Sequence, residues 1–276
     1  MKKHLTVIYF SACIFCLPLT SYSADSSLEF GLNYFYFDYK EDLVPPHKST
    51  ESGWLPGIYF SYDYKRKSSF YTKLYLSYAG GDITYDGSTQ DGTPLIIADS
   101  RQRFLKLQWD IGYTFPLGKR ASLIPFTGYG YRYWERGQNR VTATYTESQE
   151  DYSWSYIPVG LRLDYAVNDK WNVGAAFSAN FMFNGKMTAR DSQVIPGRND
   201  PEFTLGNEVG CYAEIPVRYR ISGEWSLVIT PWYEYSAIGR SDNVSLTNRG
   251  TVIGYAYEPA SRTHQYGVNA AVSYAF

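Results

Sequence analysis

The chain is poor in the residues that build most soluble catalytic and metal centres. It has 3 cysteines and 3 histidines in 276 residues. Cys13, Cys16 and His4 sit in the first 24 residues, MKKHLTVIYFSACIFCLPLTSYSA, which read as an export signal. Lys2 and Lys3 form its positive start, residues 5–17 its apolar stretch, and Ser21-Tyr22-Ser23-Ala24 offers small residues for cleavage. Cleavage is expected after Ser23 or Ala24, giving a signal over 1–23 and one domain over 24–276. The apolar run ahead of Cys13 is too short for a lipidation site. Cys211 then remains alone, which excludes an internal disulfide and a cysteine metal cluster; in an apolar alternation it reads as a small wall residue. Charge of one sign is also missing: 26 Lys+Arg stand against 27 Asp+Glu. Loss of Lys2 and Lys3 leaves 24 against 27, a net −3, which argues against a nucleic-acid partner. No apolar run after the signal is long enough for a membrane helix.

Aromatic residues are abundant: 28 Tyr, 15 Phe and 7 Trp, in a chain of mean hydropathy −0.35. They recur at every second position. The last stretch, YGVNAAVSYAF, places Tyr266, Val268, Ala270, Val272, Tyr274 and Phe276 on one face of a strand and Gly267, Asn269, Ala271, Ser273 and Ala275 on the other. It resembles the C-terminal signature of bacterial outer-membrane β-barrels. That resemblance implies recognition by the barrel-assembly machinery, with Tyr274 and Phe276 as the assembly signal.

The same alternation appears nine more times, around residues 28–37, 58–64, 70–78, 105–115, 123–133, 157–165, 171–183, 209–221 and 225–235. Short turns (KRKSS, PLGKR, VNDK, SGE) alternate with longer polar segments at 38–54, 81–101, 135–152, 184–203 and 237–262. In the second of these, Asp86-Gly87 and Asp91-Gly92 read as hairpin turns. The fold expected is all-β: a ten-stranded antiparallel up-and-down transmembrane β-barrel, with short periplasmic turns and long extracellular loops. Each apolar run has the length a tilted strand needs to cross the hydrocarbon layer, and closure satisfies every backbone group. Tyr34/Tyr36, Tyr131/Tyr133 and Phe181/Phe183 are expected in the outer aromatic ring; Tyr113/Phe115, Tyr165, Trp171 and Trp225 in the inner one.

Inward parity collects charge of both signs. Glu29, Asp63, Asp110, Asp164, Glu208, Glu214 and Glu234 face Lys73, Lys106, Arg132, Arg162, Arg218 and Arg220. Ten strands enclose a narrow space, and desolvated charges there should pair. The expectation is a lumen plugged by salt bridges; the alternative is a narrow pore for small solutes. Arg132 and Trp134 point inward beside Gly128 and Gly130, with Glu135 and Arg136 at the rim. An arginine stacked on aromatics and clamped by a carboxylate stabilises the barrel, or binds a small anionic ligand.

FYFDYKED, ESGWLPGIYFSYDY, YDGSTQDGTP and GYGYRYWERG are similar to stretches of an uncharacterised family of proteobacterial outer-membrane β-barrel proteins. The likeness covers about residues 34–136 and the last strand; it implies fold and location, and no activity. The ten-strand layout also resembles the omptin outer-membrane proteases, which activate water with an aspartate pair and an aspartate–histidine pair. Here Asp191 and Asp200 have no histidine in their loop, and Asp82, Asp86 and Asp91 form no matching doublet. His264 near Ser261, with His47 in the first loop, is the remaining rim pair to weigh for hydrolysis. No calcium-binding series occurs. The expectation is therefore a monomeric, non-enzymatic barrel of the Gram-negative outer membrane, without metal or cofactor. Its partners would be membrane lipid and lipopolysaccharide, with a small ligand or host surface at the loops.

Overall fold

In the computed structural model, residues 24–66, 68–89 and 91–276 are described; the expected signal, 1–23, lies outside them. Ten principal strands form the wall: β1 (Ala24–Glu41), β2 (Ser49–Arg66), β3 (Phe70–Ser88), β4 (Pro94–Tyr113), β5 (Ala121–Arg136), β6 (Glu150–Ala166), β7 (Trp171–Ala189), β8 (Val209–Glu214 continuing as Val217–Arg220), β9 (Trp225–Ile238) and β10 (Ser261–Ala275). Each pairs antiparallel with the next, and β10 pairs with β1, so the sheet closes. The closing seam runs from Ser27 opposite Ala275 to Glu41 opposite Ser261. This is the expected barrel: among the described residues the ten-stranded wall closes on itself.

The alternation sorts the side chains as read from sequence. Phe30, Leu32, Leu161, Leu227 and Val272 lie exposed on the outer surface. An outward cluster of Tyr34, Tyr36, Trp54 and Tyr266 caps this belt at the loop end, with the Tyr34 and Trp54 rings stacked 4.9 Å apart. Tyr113/Phe115, Trp171/Tyr219 and Trp225/Tyr274 form the ring at the turn end. An exposed apolar belt between two aromatic rings is the outer surface of a barrel in lipid.

The strands run well past the belt, which corrects the expected loop lengths. The first two loop segments shrink from 38–54 and 81–101 to 42–48 and 89–93. Beyond the rings the outward residues become polar (Asp38, Lys40, Thr84), so hydrophobic periodicity fades while backbone pairing continues. Only Asp91-Gly92 lies at a turn, where Gly92 takes φ 87°; Asp86-Gly87 lies within β3. β8 is interrupted at Pro216, which has no N–H for the ladder. Arg220 at the end of β8 is exposed at the turn end; Glu208 before β8 is exposed too but lines the small cavity beside Arg132 and Glu234, and neither forms an ion pair among the described residues. The other loops carry small hairpins: Arg140–Val141 with Thr146–Glu147, and Val244–Asn248 with Thr251–Ala256. Glu202–Thr204 adds to the edge of β7.

Candidate functional site

The lumen is filled in layers. Nearest the turns, Arg218 is paired with Glu29. Lys65 bonds Asp164 at 2.7 Å, Arg162 reaches Asp164 at 3.2 Å and Glu214 at 3.6 Å, and Lys73 reaches Glu214 at 3.5 Å. Lys65, read from sequence as part of a turn, joins this layer. Asp63 and Asp110 face inward but form no ion pair among the described residues. Their partners are neutral: Tyr71 Oη donates to Asp63 at 3.4 Å and Gln108 Nε2 to Asp110 at 2.9 Å.

Higher up, Glu234 takes both Lys106, at 3.1 Å, and Arg132. Lys106 Nζ also lies 4.6 Å from the Tyr212 ring centroid, and the Arg132 guanidinium 5.9 Å from that of Trp154. Aromatic faces thus cover the sides of the cations that the carboxylate leaves open. Gly130 is required here: a Cβ at this position would collide with the Tyr156 ring. Three small cavities, of about 20–40 Å³, surround this triad.

Above the triad lies an aromatic layer of Phe35, Phe37, Tyr39, Phe104, Trp134, Tyr152 and Trp232. Trp134 is 2% exposed and stacks on Tyr152 at 4.6 Å and Phe104 at 5.7 Å. The clamped-arginine arrangement read from GYGYRYWERG is thus built twice, at Arg132 and again at Arg136, which is buried rather than at the open rim.

Arg136 forms the next layer. Its Nε bonds Glu51 at 2.9 Å, its Nη1 bonds Glu41 at 2.8 Å and Glu150 at 2.9 Å, and its Nη2 bonds Ser49 at 3.0 Å. Glu51 also accepts from Ser100 and Gln102, and Gln102 in turn accepts from Trp134 Nε1 at 2.7 Å. Glu41, Glu51 and Glu150 are new to this site. Extending the inward parity of β1, β2 and β6 beyond the apolar belt locates all three. Glu258 joins them from a loop, where no parity exists to point to it: Tyr152 Oη lies 2.7 Å from Glu258 and 3.0 Å from Glu150. Burial pushes the Glu258 carboxyl well above its ordinary value.

This layer floors an open cup of about 690 Å³ at the loop end, walled by residues including Leu43, Tyr85, Ile97, Tyr145 and Ile195. The rim residues weighed for chemistry do not converge. His264 faces outward and meets Tyr233 Oη at 2.9 Å, whereas Ser261 is 2% exposed on the inward face of the same strand. Asp82 and Asp86 are paired with Arg101 and Lys48. Asp191 accepts from Ser148 at 2.6 Å and Asp200 from the Ser192 N–H at 2.8 Å. At the turn end, Tyr274 and Phe276 stack on the outer surface, and the Phe276 N–H bonds the Ser26 carbonyl at 2.9 Å.

The chain is similar to several solved structures. The outer membrane protease OmpT from Escherichia coli superposes with a TM-score of 0.61 at 9% identity, covering 91% of this chain and 97% of OmpT. OprG from Pseudomonas aeruginosa (TM-score 0.40, 10% identity, 92% and 96% coverage) and Ail of Yersinia pestis (0.32, 11%, 91% and 99%) are more distant. No curated protein matches the sequence. The model of the outer membrane protein beta-barrel domain matches residues 10–194, about two thirds of the chain. Closed ten-strand topology, lipid-facing belt and family match agree, and the chain belongs to the outer membrane protein beta-barrel domain family.

Proposed function

We propose that this barrel is a non-conducting, non-enzymatic surface protein of the outer membrane that works through its extracellular end. The observation that carries this reading is the contrast between the two halves of its axis. The lumen is occupied by paired charges, then by packed aromatics, whereas the loop end opens into a cup of about 690 Å³. That volume falls within the range of small-molecule sites. The outermost hairpin adds exposed Val252, Ile253 and Tyr255, a surface suited to contact with another molecule. Outside the barrel, the belt and its aromatic rings meet membrane lipid and the lipopolysaccharide leaflet. The terminal strand serves the assembly machinery, and the protein works as a monomer.

Single-channel recording of the refolded barrel in a planar bilayer tests this reading. Folded protein that passes no current supports it. Steady, ion-selective steps would overturn it in favour of a narrow pore for small solutes, and Lys106→Ala or Arg132→Ala should then shift the selectivity. Hydrolysis of lipid or peptide by the barrel, abolished by His264→Ala or His47→Ala, would overturn its non-enzymatic part.

A further inference from the structure

Four carboxyl groups, of which Glu51 and Glu258 are buried, gather around one guanidinium at the floor of the cup, and one of the four has no cation. Arg136 is shared by Glu41, Glu51 and Glu150. Glu258 is only 5% exposed and forms no ion pair among the described residues. Among the described residues its one side-chain hydrogen bond is from Tyr152 Oη to Oε1, and none of them bonds Oε2, in a residue that lines the cavity. A buried anion without a counter-charge costs several kcal/mol and calls for a proton or a cation. Six carboxyl groups (Glu41, Glu51, Glu147, Glu150, Asp191, Glu258) and three permanent cations (Lys48, Arg136, Arg198) line the cup; Glu147 is neutralised by Arg140 and Lys48 by Asp86, both outside the lining, so the excess of negative charge lies at the floor.

The kind of cation follows from the rest of the lining. Among the described residues no group of three His, Cys, Asp or Glu side chains is arranged to hold a metal ion. The carboxylates are instead held apart by Arg136 and Tyr152, and four aliphatic side chains, Leu43, Leu95, Ile97 and Ile195, share the wall with Tyr85, Tyr145 and polar residues. An acidic floor with aliphatic side chains in the wall matches a primary ammonium on a hydrocarbon body. The ammonium's three donors need separated acceptors, and its methylene stem gains from leaving water.

We infer that the cup binds a small aliphatic amine, its ammonium seated at Glu258 and its carbon chain lying against Leu43, Leu95, Ile97 and Ile195. This deepens the reading of the cup as the working face and rests on it. Burial, with Glu150 and Glu41 adding to it and Tyr152 and Arg136 opposing it, favours a proton on Glu258. Proton and ammonium therefore compete for the same carboxyl, and binding tightens as pH rises.

The test is calorimetric titration of the full refolded barrel with 1,6-diaminohexane, with 1,6-hexanediol and calcium chloride as comparison ligands. Unboiled gel migration verifies closure of each sample. The expected result is saturable diamine binding, no saturable binding of the diol, and at least about a tenfold loss of affinity in Glu258→Gln, equivalent to about 1.4 kcal/mol. Ile195→Trp, which narrows the wall without touching the floor, should weaken binding too. Three results would overturn the inference: no saturable diamine binding by folded wild type, equal binding by wild type and both variants, or calcium binding in place of the diamine with the same Glu258 dependence. Conductance of the same preparation fails or passes separately. Current with intact diamine binding removes the non-conducting reading alone; silence without binding removes the amine site alone.

Discussion

Glu234 holds the centre of the lumen. It is 4% exposed and serves two cations, Lys106 at 3.1 Å and Arg132. Replacing it with Gln keeps its volume and removes its charge, leaving two neighbouring cations without their counter-ion. Breaking a buried pair in this way typically costs about 3–5 kcal/mol. The rings of Tyr212 and Trp154 remain against Lys106 and Arg132, and each such contact retains about 0.5–2 kcal/mol of attraction. That attraction is present in both proteins, so it softens the state left behind without cancelling the loss. A destabilisation of about 3 kcal/mol or more is expected for Glu234→Gln.

Removing all three charges, as Lys106→Met, Arg132→Met and Glu234→Leu together, eliminates the desolvation penalty with the attraction. The triple variant should lie within about 1 kcal/mol of wild type or be more stable. The two results together separate charge balance from packing, because the triple variant disturbs more contacts yet is expected to lose less. Denaturant unfolding of the barrel refolded in lipid vesicles, followed by tryptophan fluorescence, measures both, provided the slopes agree. A Glu234→Gln barrel within about 1 kcal/mol of wild type would refute the reasoning. A triple variant as unstable as the single one would do the same.

Two further expectations concern the ends of the barrel. Glu258 has an ordinary value of 4.5 and is raised in the fold, so the folded state holds more protons above that pH and loses stability as pH rises toward the folded value. Glu258→Gln should flatten this decline; unfolding midpoints with an unchanged pH slope would contradict it. Phe276→Ser should lower the fraction of heat-modifiable protein in the outer membrane and leave unassembled chain in the periplasm. Its effect on the in vitro unfolding midpoint should be small, since Phe276 lies on the outer surface; unchanged membrane levels would remove the terminal strand's part in assembly.

The sequence by itself determined the wall. A period of two assigns every residue of a strand to one side, so Phe30 and Val272 could be placed toward lipid and Lys106, Arg132 and Glu234 toward the lumen without coordinates. The alternation of short turns with long polar segments determined the strand number and direction of travel. The apolar signal ends where lipid ends, however, so the continuation of β1 and β2 to Glu41 and Ser49, and with it the Arg136 layer, carries no hydrophobic periodicity and is reached only by extending the inward parity past the belt. Parity says that a side chain points inward, and it is silent on which strand lies across the lumen. That is decided by closure and by the tilt of the strands. Only the tertiary structure could therefore join Lys73 to Glu214 or Lys65 to Asp164, leave Asp63 and Asp110 to neutral donors, and bring Glu258 from a loop to a floor that already holds three carboxylates and one arginine.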